Sequence, residues 1–258
     1  MTGPSRPHLR ERVLAGELTV GAFINLGSAL SAELVGRAGF DWVVIDLEHG
    51  AGTEADLLAS ILAVRGTPAT AIVRPQSTER LRIGRALDMG ADGIMVPRLE
   101  TPDEVHEAIS YLRFPPIGVR GVALLTRGAG LGDVPHAGVA ALNEPIIGIF
   151  QVESGTAVEN AGQIAAMDGV DVLFVGPADL SHAMGIPGRF DDPRFEEALR
   201  TVADAAAKAG KAAGILLRTA SELPAYVERG YRFVGLGSDG GFVMDGARAA
   251  MEVARGVR

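Results

Sequence analysis

Short apolar runs rich in β-branched residues recur along the whole chain, each followed by a longer segment with helical spacing. That alternation is the pattern of a parallel sheet built from βαβ units. The runs that read as strands are Val20 to Asn25, Trp42 to Leu47, Thr70 to Arg74, Gly93 to Pro97, Ile146 to Val152, Val172 to Val175, Ala213 to Leu217 and Phe233 to Leu236, eight in all. Their hydrophobicity is unbroken rather than alternating, as expected of strands covered on both faces. Eight strands and their helices in 258 residues predict an α/β fold, a single-domain (β/α)8 TIM barrel over 1–258, with the first 15 or so residues a tail or short helix. A doubly wound open sheet is the competing architecture, because local periodicity does not report closure.

The intervening segments carry helix start and stop signals. Thr53 stands as an N-cap before Leu57, Leu58, Ile61 and Leu62, with Asp56 where a capping box places a carboxylate. Thr101-Pro102-Asp103-Glu104 opens a helix running to about Leu112, with proline and two acids in its first turn. Asp192-Pro193 opens another that continues through Lys208 and stops at Gly210, and Glu79 to Met89 reads as a further helix. One connection is long: Phe114 to Asn143, glycine-rich and holding Arg120 and Arg127. Connections of about 30 residues in compact domains usually carry function, so this one is expected at the catalytic end of the barrel.

Composition narrows the chemistry. Hydrophobic residues make up 47% of the chain and charged ones 22%, which excludes intrinsic disorder. The absence of cysteine removes disulfides, thiolate metal sites and thiol nucleophiles, so any metal must sit on carboxylate, imidazole or carbonyl groups. A net charge of −8 with 5% aromatics offers neither a basic footprint nor stacking platforms for nucleic acid. No run approaches the roughly 18 apolar residues of a membrane span, and the polar, proline-broken N-terminus lacks the apolar core of a signal peptide. A cytoplasmic protein with no membrane partner is expected.

In a barrel, the polar residues just beyond each strand converge on one axis at the C-terminal face. Strand two closes with Asp46-Leu47-Glu48-His49-Gly50, strand three with Arg74-Pro75-Gln76, strand five with Gln151-Val152-Glu153-Ser154, and strand six with Gly176-Pro177-Ala178-Asp179. Any one of these alone is more often a helix cap or a surface ion-pair partner, Arg74 with Asp46 or Glu48 for instance. Together they assemble carboxylates, an imidazole and a guanidinium at matching positions. Glu153 and Asp179, from neighbouring strands, are candidates to share a Mg²⁺ or Mn²⁺ ion, whose remaining positions go to water and substrate oxygens. Such an ion stabilises an enolate, and Arg74 adds a fixed positive charge at the same oxygen. His49 is the only histidine at a strand end, while His8, His106, His136 and His182 read as surface residues. These parts suit proton abstraction beside a carbonyl, or aldol cleavage through the same enolate. A lysine imine is disfavoured, since the two lysines, Lys208 and Lys211, belong to a helix and its exit.

These residues resemble the metal-dependent (class II) pyruvate aldolases of the 4-hydroxy-2-oxo-heptane-1,7-dioate aldolase family, in the citrate lyase-like aldolase superfamily. The resemblance is carried by Phe40 to Gly50, by Val96-Pro97 with Glu100-Thr101, by Pro115 to Val122, by Gln151-Val152-Glu153 and by Val175 to Ser181, with Gly237-Ser238-Asp239 extending it. It implies His49 as general base, Arg74 as stabiliser of the enolate-like transition state, and Glu153 with Asp179 as ligands of Mg²⁺, Mn²⁺ or Co²⁺. It also implies Gln151, Ala178 and Asp179 as contacts to the pyruvate portion, and Asp88 as the residue that raises the basicity of the histidine. Asp88 precedes strand four, at the face opposite His49, so it is expected to serve a neighbouring subunit. The family forms homo-oligomers, commonly hexamers, and often swaps its final helix between barrels. Arg98-Leu99 stand where a Met-Val pair is frequent, Ser154 replaces a common threonine, and Leu124-Leu125 occupy a loop often built from small residues, narrowing the pocket for the aldehyde portion. The activity implied is reversible cleavage of a 4-hydroxy-2-oxo acid into pyruvate and an aldehyde. The rival readings are an acyl-CoA ester lyase of the same superfamily and a non-catalytic ligand-binding barrel.

Overall fold

The computed structural model describes residues 7–257. The start of the N-terminal tail, residues 1–6, lies outside the described residues. Eight parallel strands close on themselves: β1 (Thr19–Ile24), β2 (Trp42–Asp46), β3 (Thr70–Arg74), β4 (Gly93–Val96), β5 (Ile147–Val152), β6 (Val172–Val175), β7 (Ala212–Leu216) and β8 (Tyr231–Ser238). The pairing of β8 with β1 closes the barrel and excludes the open sheet. In chain order the helices are α1 (Leu9–Leu14), α2 (Ala29–Arg37), α3 (Glu54–Arg65), α4 (Arg80–Asp88), α5 (Pro102–Leu112), α6 (Gly155–Glu159), α7 (Ala161–Ala165), α8 (Pro177–Ala183), α9 (Pro193–Lys208), α10 (Leu223–Glu228) and α11 (Asp239–Gly256). The capping box read from the sequence, Thr53 with Asp56, is formed; the structure adds a second, Thr101 with Glu104, and Asp192 caps α9. No described helix is long and apolar enough to cross a membrane.

Strand residues point alternately into and out of the barrel, which divides the buried apolar residues into two clusters. Val43, Ile45, Ile94 and Leu173 belong to the cluster under the helices. Phe23, Trp42, Val44, Ile72, Ile147, Ile149, Phe174 and Phe233 fill the barrel, with Leu9 and Val13 of α1 in the same cluster. Continuing the inward series by two residues leads to Asn25, Asp46, Arg74, Gln151 and Gly176, and by two more on β5 to Glu153. The polar mouth of the barrel is therefore the upward extension of its apolar filling.

The interior also explains several glycines. The Trp42 indole stacks on Phe233 with ring centroids 4.2 Å apart, lying against the Gly21 backbone. A Cβ at Gly21 would fall 2.0 Å from the indole. Gly93 leaves room in the same way for Ile147, and Gly214 for Phe174. Glycine in this chain thus serves the filling of the barrel as well as the strand-end loops where the sequence places it.

Barrel closure is reinforced by Asp239. This buried carboxylate accepts from the Asn25 amide (2.8 Å), the Ser31 hydroxyl (2.6 Å) and the Gly240 amide (2.8 Å), tying the end of β8 to the loop between β1 and α2. Beyond it α11 gains little from its own chain: from Phe242 onward almost every residue is exposed, Val243 at 64% and Val253 at 73%.

The long connection corrects an expectation. Phe114 to Asn143 follows α5 and leads into the start of β5, so it lies at the N-terminal face and not at the catalytic end. It contains two short 3-10 segments, Arg127–Gly132 and His136–Asn143, and Asn143 pins it by accepting from the Phe114 amide at 2.7 Å. Leu124-Leu125 go with it, and Leu125 is 83% exposed, so this pair does not narrow the pocket of its own chain.

Replacing Gly21 with alanine is expected to lower the unfolding free energy by about 1–3 kcal/mol, the usual cost of overpacking a dense interior. Equilibrium urea titration of Gly21→Ala against the parent checks this, and an unchanged midpoint would contradict the packing described.

Candidate active site

Asp46 and Arg74 are register partners at the tops of β2 and β3. Their side chains form a two-pronged pair, Nε to Oδ1 at 2.9 Å and Nη2 to Oδ2 at 2.7 Å. Both residues are buried. Burial pushes the Arg74 guanidinium down, but the hydrogen bonds and charge of Asp46, with Glu48 and Glu153 adding, outweigh it and hold the group above its usual value. Phe23 lies beneath, its ring centroid 5.2 Å from the guanidinium carbon.

The same Asp46 shapes the turn that follows. Its Oδ1 accepts from the backbone N–H of Glu48 (3.0 Å) and of His49 (3.3 Å). Gly50 is required there, since a Cβ would fall 2.1 Å from the Asp46 carbonyl oxygen. The turn returns the Glu48 carboxylate to within 3.2 Å of Arg74 Nη1 and leaves the His49 side chain 63% exposed, its Nε2 3.7 Å from Glu48.

A relay of hydrogen bonds crosses the mouth from Arg74 to β5. Arg74 Nη1 donates to Gln151 Oε1 at 3.4 Å, and Gln151 Nε2 donates to Glu153 Oε1 at 2.7 Å. Glu153 lies so close to the start of α8 that a Cβ on Gly176 would be 2.5 Å from its Oε1. Burial, then the charges of Asp179 and Glu48, push Glu153 up from 4.5 to about 7, against the opposing pull of Arg74 and the Arg98 backbone amide.

One cavity of about 280 Å³ gathers His49, Arg74, Gln151, Glu153, Ala178 and Asp179. These are six of the seven residues singled out from the sequence. The seventh, Asp88, stands apart: it ends α4 at the N-terminal face and accepts from Arg120 Nη2 at 3.0 Å. Sequence reasoning treated Asp46 and Glu48 only as ion-pair partners of Arg74. The alternation through Trp42 and Val44 points Asp46 inward and was the available signal, whereas Glu48 lies past the strand and owes its place to the turn.

The donor set suits a divalent cation. Arg74 faces Asp46, Glu48 and Glu153, Asp179 adds a further negative charge beside Glu153, and Glu48 Oε2 is buried without a hydrogen bond. Among the described residues no three carboxylates or imidazoles form a complete cage by themselves. Two carboxylates with open positions is the usual oxygen-rich arrangement for ions that keep water or bind substrate oxygens.

A polar, oxygen-rich mouth at the C-terminal face of a closed (β/α)8 barrel is where enzymes of this fold carry their active sites. The profile of the HpcH/HpaI aldolase/citrate lyase family matches residues 19–246. The chain is 37% identical over 225 residues to a 5-keto-4-deoxy-D-glucarate aldolase of Klebsiella pneumoniae, covering 87% of this chain and 88% of that protein. It is 34% identical over 241 residues to a 4-hydroxy-2-oxo-heptane-1,7-dioate aldolase of Salmonella arizonae, covering 93% and 91%. A crystal structure of an HpcH/HpaI aldolase/citrate lyase family protein from Burkholderia cenocepacia superposes with a TM-score of 0.91 at 35% identity, covering 96% of this chain and 98% of that one. The chain belongs to the HpcH/HpaI aldolase/citrate lyase family. It is an enzyme, a carbon–carbon lyase of the aldolase type.

The raised Glu153 has a stability consequence of defined sign. The folded chain holds this proton more tightly than an unfolded one, so the contribution is complete below pH 4.5 and is lost as pH rises through about 7. Without added metal, Glu153→Gln should therefore match the parent near pH 4 and unfold at a higher denaturant concentration at pH 8, by at most about 3 kcal/mol. A variant less stable than the parent at pH 8 would contradict the crowding of charge described.

Proposed function

We propose that the enzyme reversibly cleaves 4-hydroxy-2-oxo acids into pyruvate and an aldehyde. The observation that carries this reading is the relay Arg74–Gln151–Glu153, which sets a fixed cation beside carboxylates in one cavity with an exposed histidine at its edge. Both substrates named in the relatives are 4-hydroxy-2-oxo acids when numbered from the keto end.

Gln151, Ala178 and Asp179 orient the pyruvate portion. His49 takes the proton of the C4 hydroxyl, directly or through water, consistent with its exposure at the rim. The C3–C4 bond breaks, C4 leaves as the aldehyde carbon, and the bonding pair passes to C3 and onto the 2-oxo oxygen. Arg74 is the stabiliser of that developing charge, held for it by Asp46 with no reorganisation needed during the reaction. A proton returned to C3 gives pyruvate. Glu153 and Asp179 would hold a divalent ion, Mg²⁺, Mn²⁺ or Co²⁺, which when bound polarises the substrate's 2-oxo carbonyl. A general base typically contributes about 10²- to 10⁴-fold and a preorganised charge a comparable or larger factor.

The working unit in this reading is a homo-oligomer, such as a hexamer, with α11 exchanged between barrels. Two observations support it. The apolar residues of α11, Val243, Met244 and Val253 among them, have no cover in their own chain, and Leu30 and Leu34 of α2 are 65% and 62% exposed. Asp88 lies across the barrel from His49, so its role in raising histidine basicity falls to a neighbouring subunit.

Chelation with EDTA is expected to abolish cleavage, and Mn²⁺, Co²⁺ or Mg²⁺ to restore it. With metal present, enzyme alone should exchange the methyl hydrogens of pyruvate with solvent deuterium, as followed by NMR. Full activity after exhaustive chelation would overturn the metal assignment, and absence of exchange would overturn the enolate. Co-assembled His49→Ala and Asp88→Ala subunits should recover a measurable part of the activity that each lacks alone. No recovery in a verified mixed oligomer would remove Asp88 from the neighbouring site.

A further inference from the structure

Asn25 follows β1 directly and continues its inward series after Gly21 and Phe23, so its side chain lines the reaction cavity. In a closed ring of eight strands β1 lies opposite β5 and beside β2. Asn25 therefore stands across the mouth from Glu153 and on the same side as His49, which lines the cavity with it.

The backbone around Asn25 is fitted to the histidine turn. Its carbonyl oxygen accepts from the Ala51 amide at 2.8 Å, and a Cβ on Gly50 would fall 3.3 Å from its Cα. Two residues on, Gly27 at φ +66° packs on Gly52 so closely that a Cβ on Gly27 would lie 2.7 Å from the Gly52 Cα. The Asn25 backbone N–H is held by Asp239 at 2.8 Å. The loop after β1 and the turn carrying His49 are thus locked to each other.

The Asn25 side-chain amide, by contrast, is half-buried and has no hydrogen-bond partner among the described residues. Its neighbours on this side of the cavity include Phe23, Leu216 and Leu217, whose side chains offer it none. The Arg74 fork is committed to Asp46 and Gln151, and the Gln151 amide to Glu153. Ser238 Oγ accepts from the Gly241 amide at 3.2 Å as the cap of α11. An amide carries two N–H donors, and leaving them unpaired in a partly buried place is costly unless solvent or a ligand completes them.

We propose that Asn25 is a further catalytic residue, whose Nδ2–H donates to the oxygen on C4 of the substrate while His49 takes the proton of that oxygen. The inference rests on the aldol reading above, which sets C4 beside His49. In cleavage the proton leaves the C4 hydroxyl for His49, the pair left on oxygen forms the carbonyl bond of the aldehyde, and the C3–C4 pair passes to the pyruvate portion. Negative charge therefore gathers on the C4 oxygen before that bond breaks, whereas Arg74 is assigned to the 2-oxo oxygen. A donor fixed in advance stabilises such a charge without reorganisation. In condensation the same N–H polarises the aldehyde carbonyl.

The test follows two steps of the metal-loaded enzyme separately: exchange of the pyruvate methyl hydrogens with solvent deuterium, which needs no aldehyde, and condensation of pyruvate with propanal. Asn25→Ala should lower kcat for condensation by about 100-fold, as for the loss of one preorganised donor, and leave exchange within about twofold of the parent. Asn25→Asp keeps the shape but turns carboxylate oxygens toward the C4 oxygen, and should condense more slowly still. Condensation unchanged in Asn25→Ala would overturn the assignment. An equal fall in exchange would also overturn it, since that marks a structural part of the mouth. So would a raised KM for propanal with kcat unchanged, which marks a contact made equally in the ground state. Exchange absent from the parent removes the aldol reading and this role with it, whereas exchange retained with unaltered condensation in Asn25→Ala removes the role of Asn25 alone.

Discussion

The mouth of this barrel is organised by one buried cation. Arg74 is fixed in plane by two bonds to its register partner Asp46, so its remaining nitrogen is aimed rather than merely present. That nitrogen meets Gln151 and Glu48, and through Gln151 it sets the rotamer of Glu153. Arginine suits this role because its donors form a rigid fork, whereas lysine would offer a single point of charge. Three carboxylates, Asp46, Glu48 and Glu153, share the field of this one guanidinium, and Asp179 adds its charge beside Glu153. The shortfall of positive charge appears on Glu153, whose carboxyl is pushed up to about 7 by burial and by the charges of Asp179 and Glu48.

That arrangement depends on closure. The inward side chains of a barrel strand recur every second residue, so the series that fills the interior with Trp42, Ile72 and Ile149 must end in Asp46, Arg74 and Gln151. A slip of one residue between β2 and β3 would turn Arg74 toward the helices and leave Asp46 without its partner. Glycine and aromatic pairs below fix other registers of the same barrel by shape: Gly21 of β1 faces Trp42 of β2 and Gly214 of β7 faces Phe174 of β6, each accepting one ring in one register. Packing at the bottom of the barrel is thus part of the chemistry at the top.

Much of this was legible in the sequence, for identifiable reasons. All eight strands were readable because burial on both faces leaves unbroken apolar runs, and the capping box at Thr53 and the helix start at Thr101 because their spacing is local. Six of the candidate residues could be expected together because a barrel brings every strand end to one axis. The ends of elements were less so: β8 begins at Tyr231 and runs to Ser238, since a bulged edge and polar residues such as Arg232 conceal it. Placement of the long connection failed although topology could have decided it, because a segment that follows α5 and precedes β5 must return to the N-terminal face. Glu48 stayed in the background because its position is set by two backbone amides accepted by Asp46, a contact that no spacing rule encodes.

The N-terminal face raises a different electrostatic problem. Arg120 is 3% exposed and stacks on Phe114 at 4.2 Å, with its Nε lacking a partner. Burial lowers its pKa, and Asp88 provides the compensating charge. The bond uses one oxygen of Asp88, Oδ1, and the carboxylate side chain remains about a third exposed. An isolated surface ion pair contributes little, but truncating one partner of a nearly buried guanidinium leaves an uncompensated charge at a cost of several kcal/mol, on the order of 3–5. Asp88 is therefore tied to the stability of its own barrel whatever it does beyond it.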